Sequence, residues 1–183
     1  MTTLRKAAFI DRDGVLNEDR GYVFQREDFH WLPGASEALA QLQAAGYALV
    51  IVTNQSGIAR GLYTQVDLDL LHAHVTAQLL AAGVQLTGIY ACPHHPEALL
   101  PALRIHCDCR KPQPGLILQA ARAHRLDLSA SWLFGDKASD IEAGRRAGVG
   151  RCWLVGDVGA ADGADGNSAS LLDAVRTMPL YRP

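Results

Sequence analysis

Apolar runs that do not alternate with polar residues are the strongest constraint on how this chain folds. Residues 7–10 (Ala-Ala-Phe-Ile) and 48–52 (Ala-Leu-Val-Ile-Val) are apolar at every position. A strand with one wet face alternates, whereas a strand covered on both faces does not, so these runs point to a parallel sheet sandwiched between helices. Residues 89–91, 132–134 and 152–155 are shorter candidates of the same kind. Helical stretches lie between them. Residues 35–45 end at Gly46, a residue suited to a left-handed C-cap. Thr64 with Asp67 three residues on reads as the start of a second helix, which carries Leu68, Leu71, Val75 and Leu79 on one stripe and stops at Gly83. Helices are also expected over 116–124, over 140–147 before Gly148, and near 168–175 after a Gly-, Ala- and Asp-rich loop at 157–167. Strand–helix alternation predicts a doubly wound α/β fold. A chain of 183 residues without a linker or internal repeat is expected to form a single domain over 1–183.

Composition narrows the function classes. Hydrophobic residues make up 49% and charged residues 20%, ordinary values for a globular protein. The net charge of −2 gives no overall field favouring nucleic acid or an anionic membrane, so an anionic ligand must be met by local charges. No basic stripe tracks a polyanionic backbone. No apolar run reaches the length of a membrane span, and residues 1–6 lead straight into the first strand without the pattern of a signal peptide. The expectation is a cytoplasmic monomer acting on a small molecule, with neither nucleic acid nor membrane as partner.

In an open parallel sheet, ligands bind beyond the carboxyl ends of the strands. Asp11 and Asp13 follow the first apolar run, Thr53 and Asn54 the second, and Asp136 the run ending at Phe134. Three strands thus deliver polar groups to one edge. Two acids spaced as Asp11 and Asp13, just after a buried strand, are costly unless a positive charge lies among them. A Mg²⁺ ion answers that need, because it takes a few hard oxygen ligands and keeps its remaining waters. Asp136 would supply the distant ligand, and Asp140, one helical turn on, would hold the site or a metal-bound water. Gly14 permits a tight turn after the acids.

Of four cysteines, Cys92, Cys107 and Cys109 crowd together and Cys152 stands apart in an apolar run, where it reads as a core residue. The pattern is Cys92-x-His94, twelve residues, then Cys107-x-Cys109, with His95 and His106 as further imidazoles nearby. Three thiolates and one imidazole make a closed tetrahedral Zn²⁺ site of the structural kind. Such a site would close the loop at about 92–109 and fix the next two residues, Arg110 and Lys111.

Taken together, Asp11-x-Asp13-Gly14-Val15-Leu16-Asn17, Thr53-Asn54, Lys111 and Gly135-Asp136 with Asp140 resemble, in order, the four motifs of the haloacid dehalogenase superfamily. The resemblance covers roughly residues 7–156 and implies a Rossmann-like phosphatase fold, here without room for a large cap domain. It implies that Asp11 is the nucleophile that forms an aspartyl phosphate. It makes Asp13 the general acid and base, with its backbone carbonyl on the metal. Thr53 and Lys111 would stabilise the phosphoryl oxygens, and Asp11, Asp13 and Asp136 would hold Mg²⁺. The cysteine cluster resembles the branch that contains heptose bisphosphate phosphatases and histidinol-phosphate phosphatases, and this match selects His94 as the fourth zinc ligand. The runs Asp19-Arg20-Gly21-Tyr22 and Thr53-Asn54-Gln55-Ser56, with Arg110, Lys111 and Lys137, look most like the heptose enzymes, which serve nucleotide-activated heptose synthesis. Those residues then join the substrate site, with Arg110 as a bidentate clamp for a second phosphate. Histidinol phosphate is the alternative substrate; it is cationic at one end, which Arg110 would not favour. A zinc-stabilised binding module is the non-enzymatic alternative, and the intact acids and Lys111 argue against it.

Overall fold

The computed structural model describes residues 4–156 and 162–179. Six strands form one sheet: β1 (Arg5–Ile10), β2 (Ala48–Asn54), β3 (Gly88–Cys92), β4 (Leu126–Gly135), β5 (Arg151–Val155) and β6 (Gly166–Ser168). Every pairing is parallel and the spatial order is β3-β2-β1-β4-β5-β6. The helices are α1 (Ala35–Ala44), α2 (Gln65–Ala81), α3 (Gly115–His124), α4 (Ala138–Ala147) and α5 (Leu171–Thr177).

The unbroken apolar strands divide their side chains between two cores. Ala8 and Ile10 of β1 and Leu49 and Ile51 of β2 pack with α1, α2 and α5 on one face. Ala7 and Phe9, with Ala48, Val50 and Val52, pack with α3 and α4 on the other. Both faces are therefore dry, which is why neither run alternates. Helix α2 starts on a capping box in which Thr64 Oγ1 accepts from the Asp67 N–H and the Asp67 carboxylate accepts from the Thr64 N–H. It buries Leu68, Leu71, Val75 and Leu79, the predicted stripe.

Three elements differ from the sequence reading. Strand β4 starts at Leu126 rather than Trp132, because its polar first half pairs with Arg5 and Lys6 before the register shifts. There the Ala7 N–H donates to Ser131 Oγ at 2.8 Å, so a side chain replaces the missing ladder partner. Strand β6 was hidden in the expected loop, since Gly-Asn-Ser has no strand propensity of its own. It exists because Trp153 covers Gly166 and donates from Nε1 to Ser168 Oγ at 3.0 Å. The last helix starts at Leu171, three residues later than expected, where Ser170 caps it by accepting from the Asp173 N–H. The first five residues of the expected 157–167 loop lie outside the described residues. Among those described, no helix is long and apolar enough to cross a membrane.

Strand order places β1 at the centre, with its neighbours β2 and β4 leading to opposite halves of the sheet. The crevice beyond its carboxyl end is the topological switch point, where ligands of such sheets bind.

Candidate active site

Asp11 leaves the end of β1 and is tied to β4 by its N–H, which donates to the Phe134 carbonyl at 2.9 Å. Its carboxylate is almost fully buried. Oδ1 accepts from the Arg12 N–H at 2.8 Å and from Lys111 Nζ at 2.9 Å. Lys111 is equally buried and also meets Asp140 Oδ1 at 2.5 Å and the Val52 carbonyl at 2.9 Å. All three ammonium donors are thus spent inside the protein. Burial alone would favour neutral lysine, but the Asp11 and Asp140 carboxylates outweigh it and hold the ammonium charged well above the usual lysine range. Burial pushes the Asp11 carboxyl up to about 7, against the downward pull of Lys111.

The carboxylates of Asp11, Asp136 and Asp140 converge, each offering an oxygen within 4.8 Å of the others. Burial raises the Asp136 pKa, and its Oδ1 is buried with no hydrogen-bond partner among the described residues. A desolvated carboxylate that has an orphaned oxygen and converges with two further acids suits a hard divalent cation. Gly14 is required beside it: its φ is +87°, and a Cβ there would run into the Asp136 carboxylate. Asp13, expected to meet the metal through its backbone carbonyl, keeps its side chain outside this cluster. Its carboxylate turns instead to Arg12, Asn17 and Gln55.

A cavity of about 640 Å³ opens above Asp11. Asp13, Thr53, Asn54, Gln55, Ser56, Arg110 and Lys111 line it, as do Asp19, Gly21, Tyr22 and Lys137 across the mouth. Lys137 Nζ reaches Asp19 Oδ2 at 3.1 Å and Asp136 Oδ2 at 3.4 Å, linking the 19–22 loop to the end of β4. The Asp19 side chain shapes that loop by accepting from the Gly21 N–H. Arg20 is a departure: it turns outward, pairs with Glu18 at 2.7 Å and does not line the cavity. Asn54 is placed at the cavity but its amide is committed, donating to the Lys111 carbonyl and accepting from the Lys111 N–H, both at 3.1 Å. It clamps the segment carrying Lys111 to the end of β2. Tyr63, Pro112 and Ser139 also line the cavity, beyond the residues expected from the sequence. No local motif marks Tyr63; it arrives through the turn that precedes α2.

The cysteine cluster sits where β3 ends. Sγ atoms of Cys92, Cys107 and Cys109 lie 3.0 to 3.6 Å apart, and His94 Nδ1 is 3.3 Å from Cys109 and 3.7 Å from Cys92. None of the three cysteines is in a disulfide. His94 is the imidazole of the group, whereas His95 Nδ1 accepts from the Glu97 N–H and serves the loop turn. Burial pushes the Cys92 thiol well above the ordinary cysteine range. A bound cation would stabilise the thiolate that burial disfavours at Cys92, and this S₃N donor set suits tetrahedral zinc. The cluster is coupled to the cavity by Arg110, whose N–H donates to Cys107 Sγ and whose Nη1 donates to the His94 carbonyl, both at 3.3 Å.

A family model for haloacid dehalogenase-like hydrolases matches residues 8–99, and a HAD-hydrolase-like model matches residues 108–169. The chain is 46% identical to the D-glycero-beta-D-manno-heptose-1,7-bisphosphate 7-phosphatase of Photorhabdus laumondii over 85% of its own length and 82% of that protein. It is 44% identical to the D-glycero-alpha-D-manno-heptose-1,7-bisphosphate 7-phosphatase of the same organism, over 82% of each chain. The crystal structure of D,D-heptose 1,7-bisphosphate phosphatase from B. bronchiseptica, complexed with magnesium and phosphate, superposes with a TM-score of 0.81 at 32% identity, covering 93% of this chain and 96% of that one. Sequence, sheet order and carboxylate cluster agree, and the chain belongs to the haloacid dehalogenase-like hydrolases, in the family of the heptose-bisphosphate phosphatases.

Proposed function

We propose that this protein removes the 7-phosphate of D-glycero-D-manno-heptose 1,7-bisphosphate through an aspartyl phosphate on Asp11, as one phosphatase unit serving nucleotide-activated heptose synthesis in the cytoplasm. The observation that carries the chemistry is the buried Asp11 carboxylate on the cavity floor. Its Oδ1 is fixed by Lys111 and the Arg12 N–H, and its Oδ2 has no protein donor among the described residues. The substrate class rests on the relatives' activity and on Arg110 at the cavity wall.

In this reading Asp11 Oδ2 attacks phosphorus. The P–O bond to the sugar breaks, its electron pair stays on the sugar oxygen, and Asp13 delivers the proton. Asp13 then takes a proton from water, whose oxygen attacks phosphorus and frees Oδ2. Thr53, at the end of β2, directs its hydroxyl at the phosphoryl oxygens. Lys111 contributes mainly as a fixed charge, since a direct bond to phosphate requires it to release one of its three present acceptors. Mg²⁺ held by Asp11, Asp136 and the Asp13 carbonyl would neutralise the repulsion between carboxylate and phosphate. Zn²⁺ held by Cys92, His94, Cys107 and Cys109 would keep the loop folded and Arg110 in place.

Phosphate release tests this on a panel of both heptose bisphosphate anomers and histidinol phosphate, with magnesium and with chelator. The expected result is preference for a heptose bisphosphate, reversible loss in chelator, and no turnover for Asp11→Asn with its fold intact. Turnover by Asp11→Asn, with deamidation excluded by mass spectrometry, would overturn the mechanism. A preference for histidinol phosphate would overturn the substrate alone.

A further inference from the structure

The Asp13 carboxylate does not stand free. Arg12 approaches it with Nη2 at 2.9 Å from both oxygens and with Nε at 3.2 Å from Oδ1. Asn17 Nδ2 donates to Oδ1 at 3.0 Å, and Gln55 Nε2 donates to Oδ2 at 2.9 Å. Two of these donors are themselves held from behind. Arg12 is completely buried, a costly place for a guanidinium unless every partner is fixed. Its Nη2 also donates to the Val23 carbonyl at 2.6 Å, and its Nη1 lies 3.1 Å from Nε2 of His72 on α2. Arginine has no acceptor, so Nε2 must present its lone pair and His72 must be neutral. Gln55 is fixed by the Tyr63 hydroxyl, which donates to Oε1 at 2.6 Å. That bond decides the amide's orientation and aims its NH₂ at Asp13 and at Thr53 Oγ1, 2.9 Å away. Tyr63 is in turn stacked on Phe24, with ring centroids 4.8 Å apart.

We propose that His72 and Tyr63 are positioning residues for proton transfer: acting through Arg12 and Gln55, they hold the Asp13 carboxyl in the orientation from which it serves the leaving oxygen. The inference rests on the phosphoaspartyl reading above. The two supports come from neighbouring parts of one segment, the turn before α2 and the second turn of α2 itself, so this helix braces the acid without touching substrate through His72. A carboxyl that swings by about 1 Å loses up to about 100-fold in rate. The loss should fall where a proton is needed. A sugar alkoxide cannot leave without one, whereas p-nitrophenolate leaves as a stable anion.

His72→Leu removes the acceptor, His72→Gln keeps one, and Tyr63→Phe removes only the hydroxyl. Each variant is assayed for kcat and KM on a sugar phosphate, and for the pre-steady-state rate of p-nitrophenolate release with acid-quenched phosphoenzyme as a check. The expected result is an about 10- to 100-fold fall in kcat on the sugar phosphate for His72→Leu and for Tyr63→Phe. KM should stay within about twofold, and the fall in p-nitrophenolate release should be at least about fivefold smaller. His72→Gln should recover most of the loss. Equal falls on both substrates, no fall, or a His72→Gln variant no better than His72→Leu would overturn the proposal. If His72→Leu misfolds, Tyr63→Phe and its leaving-group ratio decide between support and rejection. A wild-type protein that forms no phosphoenzyme overturns the phosphoaspartyl reading and this inference with it; one that does, with unshifted variants, overturns the inference alone.

Discussion

Replacing Lys111 with methionine keeps most of its apolar volume and removes its charge. In the native protein that ammonium lies between Asp11 Oδ1 and Asp140 Oδ1, at 2.9 and 2.5 Å, with all three side chains buried. The variant leaves two carboxylates facing each other without compensation. Removing one partner from a buried ion pair costs about 3–5 kcal/mol. A domain of this size loses about 2–4 °C of melting temperature per kcal/mol, so Lys111→Met should melt roughly 6–20 °C lower in chelator at pH 8. The loss should shrink as the pH falls. The Asp11 carboxyl already sits at about 7 with Lys111 beside it. Without that ammonium it rises further, the native state then binds more protons than the unfolded chain, and stability increases toward acid. Magnesium should recover part of the loss at pH 8, because a cation on Asp11 and Asp136 replaces some of the missing charge. Turnover should fall by about 100- to 1,000-fold even with magnesium, as expected when one charge-stabilising group leaves a dry site. Thermal melts followed by tryptophan fluorescence, with and without magnesium at pH 6 and 8, measure the stability changes, and phosphate release measures the turnover. Melting within about 2 °C of wild type in chelator at pH 8 would refute the argument that Lys111 is the structural counter-charge.

Metal analysis of protein prepared without chelator should find about one zinc per chain, the stoichiometry of a closed four-ligand site; Cys107→Ser should speed hydrogen exchange over 93–111 while the sheet stays protected. Arg110→Ala should cost about 10- to 150-fold in kcat/KM on a heptose bisphosphate, the equivalent of about 1.5–3 kcal/mol for a charge-assisted contact, and much less on a small monophosphate; equal losses would place Arg110 at the reacting phosphoryl group instead. Burial, reinforced by Arg12, pushes the His72 pKa from 6.5 down to about 4. The unfolded chain therefore binds a proton between these values that the native state does not, and stability is full above pH 6.5 and drains away as the pH falls toward 4. The ceiling is roughly 3 kcal/mol at 1.36 kcal/mol per pH unit. His72→Gln, compared with wild type by urea melts from pH 7 to 4, should lose that part of the acid sensitivity; identical pH slopes would count against a neutral His72.

Apolar runs at 7–10 and 48–52 announced strands dry on both faces, and helical stripes between them announced the layers, because burial of a repeating unit leaves a repeating pattern. The strand-end rule placed Asp11, Asp13, Thr53 and Asp136 at one edge, and donor chemistry alone grouped Cys92, Cys107 and Cys109. What the sequence could not carry were contacts between residues far apart in the chain. Which way Arg20 turns, that Asn54 clamps the Lys111 backbone, and that Lys111 spends all its donors on Asp11, Asp140 and Val52 depend on how distant segments pack. Strand β6 exists only because Trp153 is there to pair with and cover it. The same holds for His72 and Tyr63, ordinary residues in the chain that reach Asp13 only through Arg12 and Gln55. Local periodicity and side-chain chemistry are written residue by residue and survive in one dimension. Hydrogen-bond partners are chosen by the packing of the sheet against its helices, and that choice is made only in three.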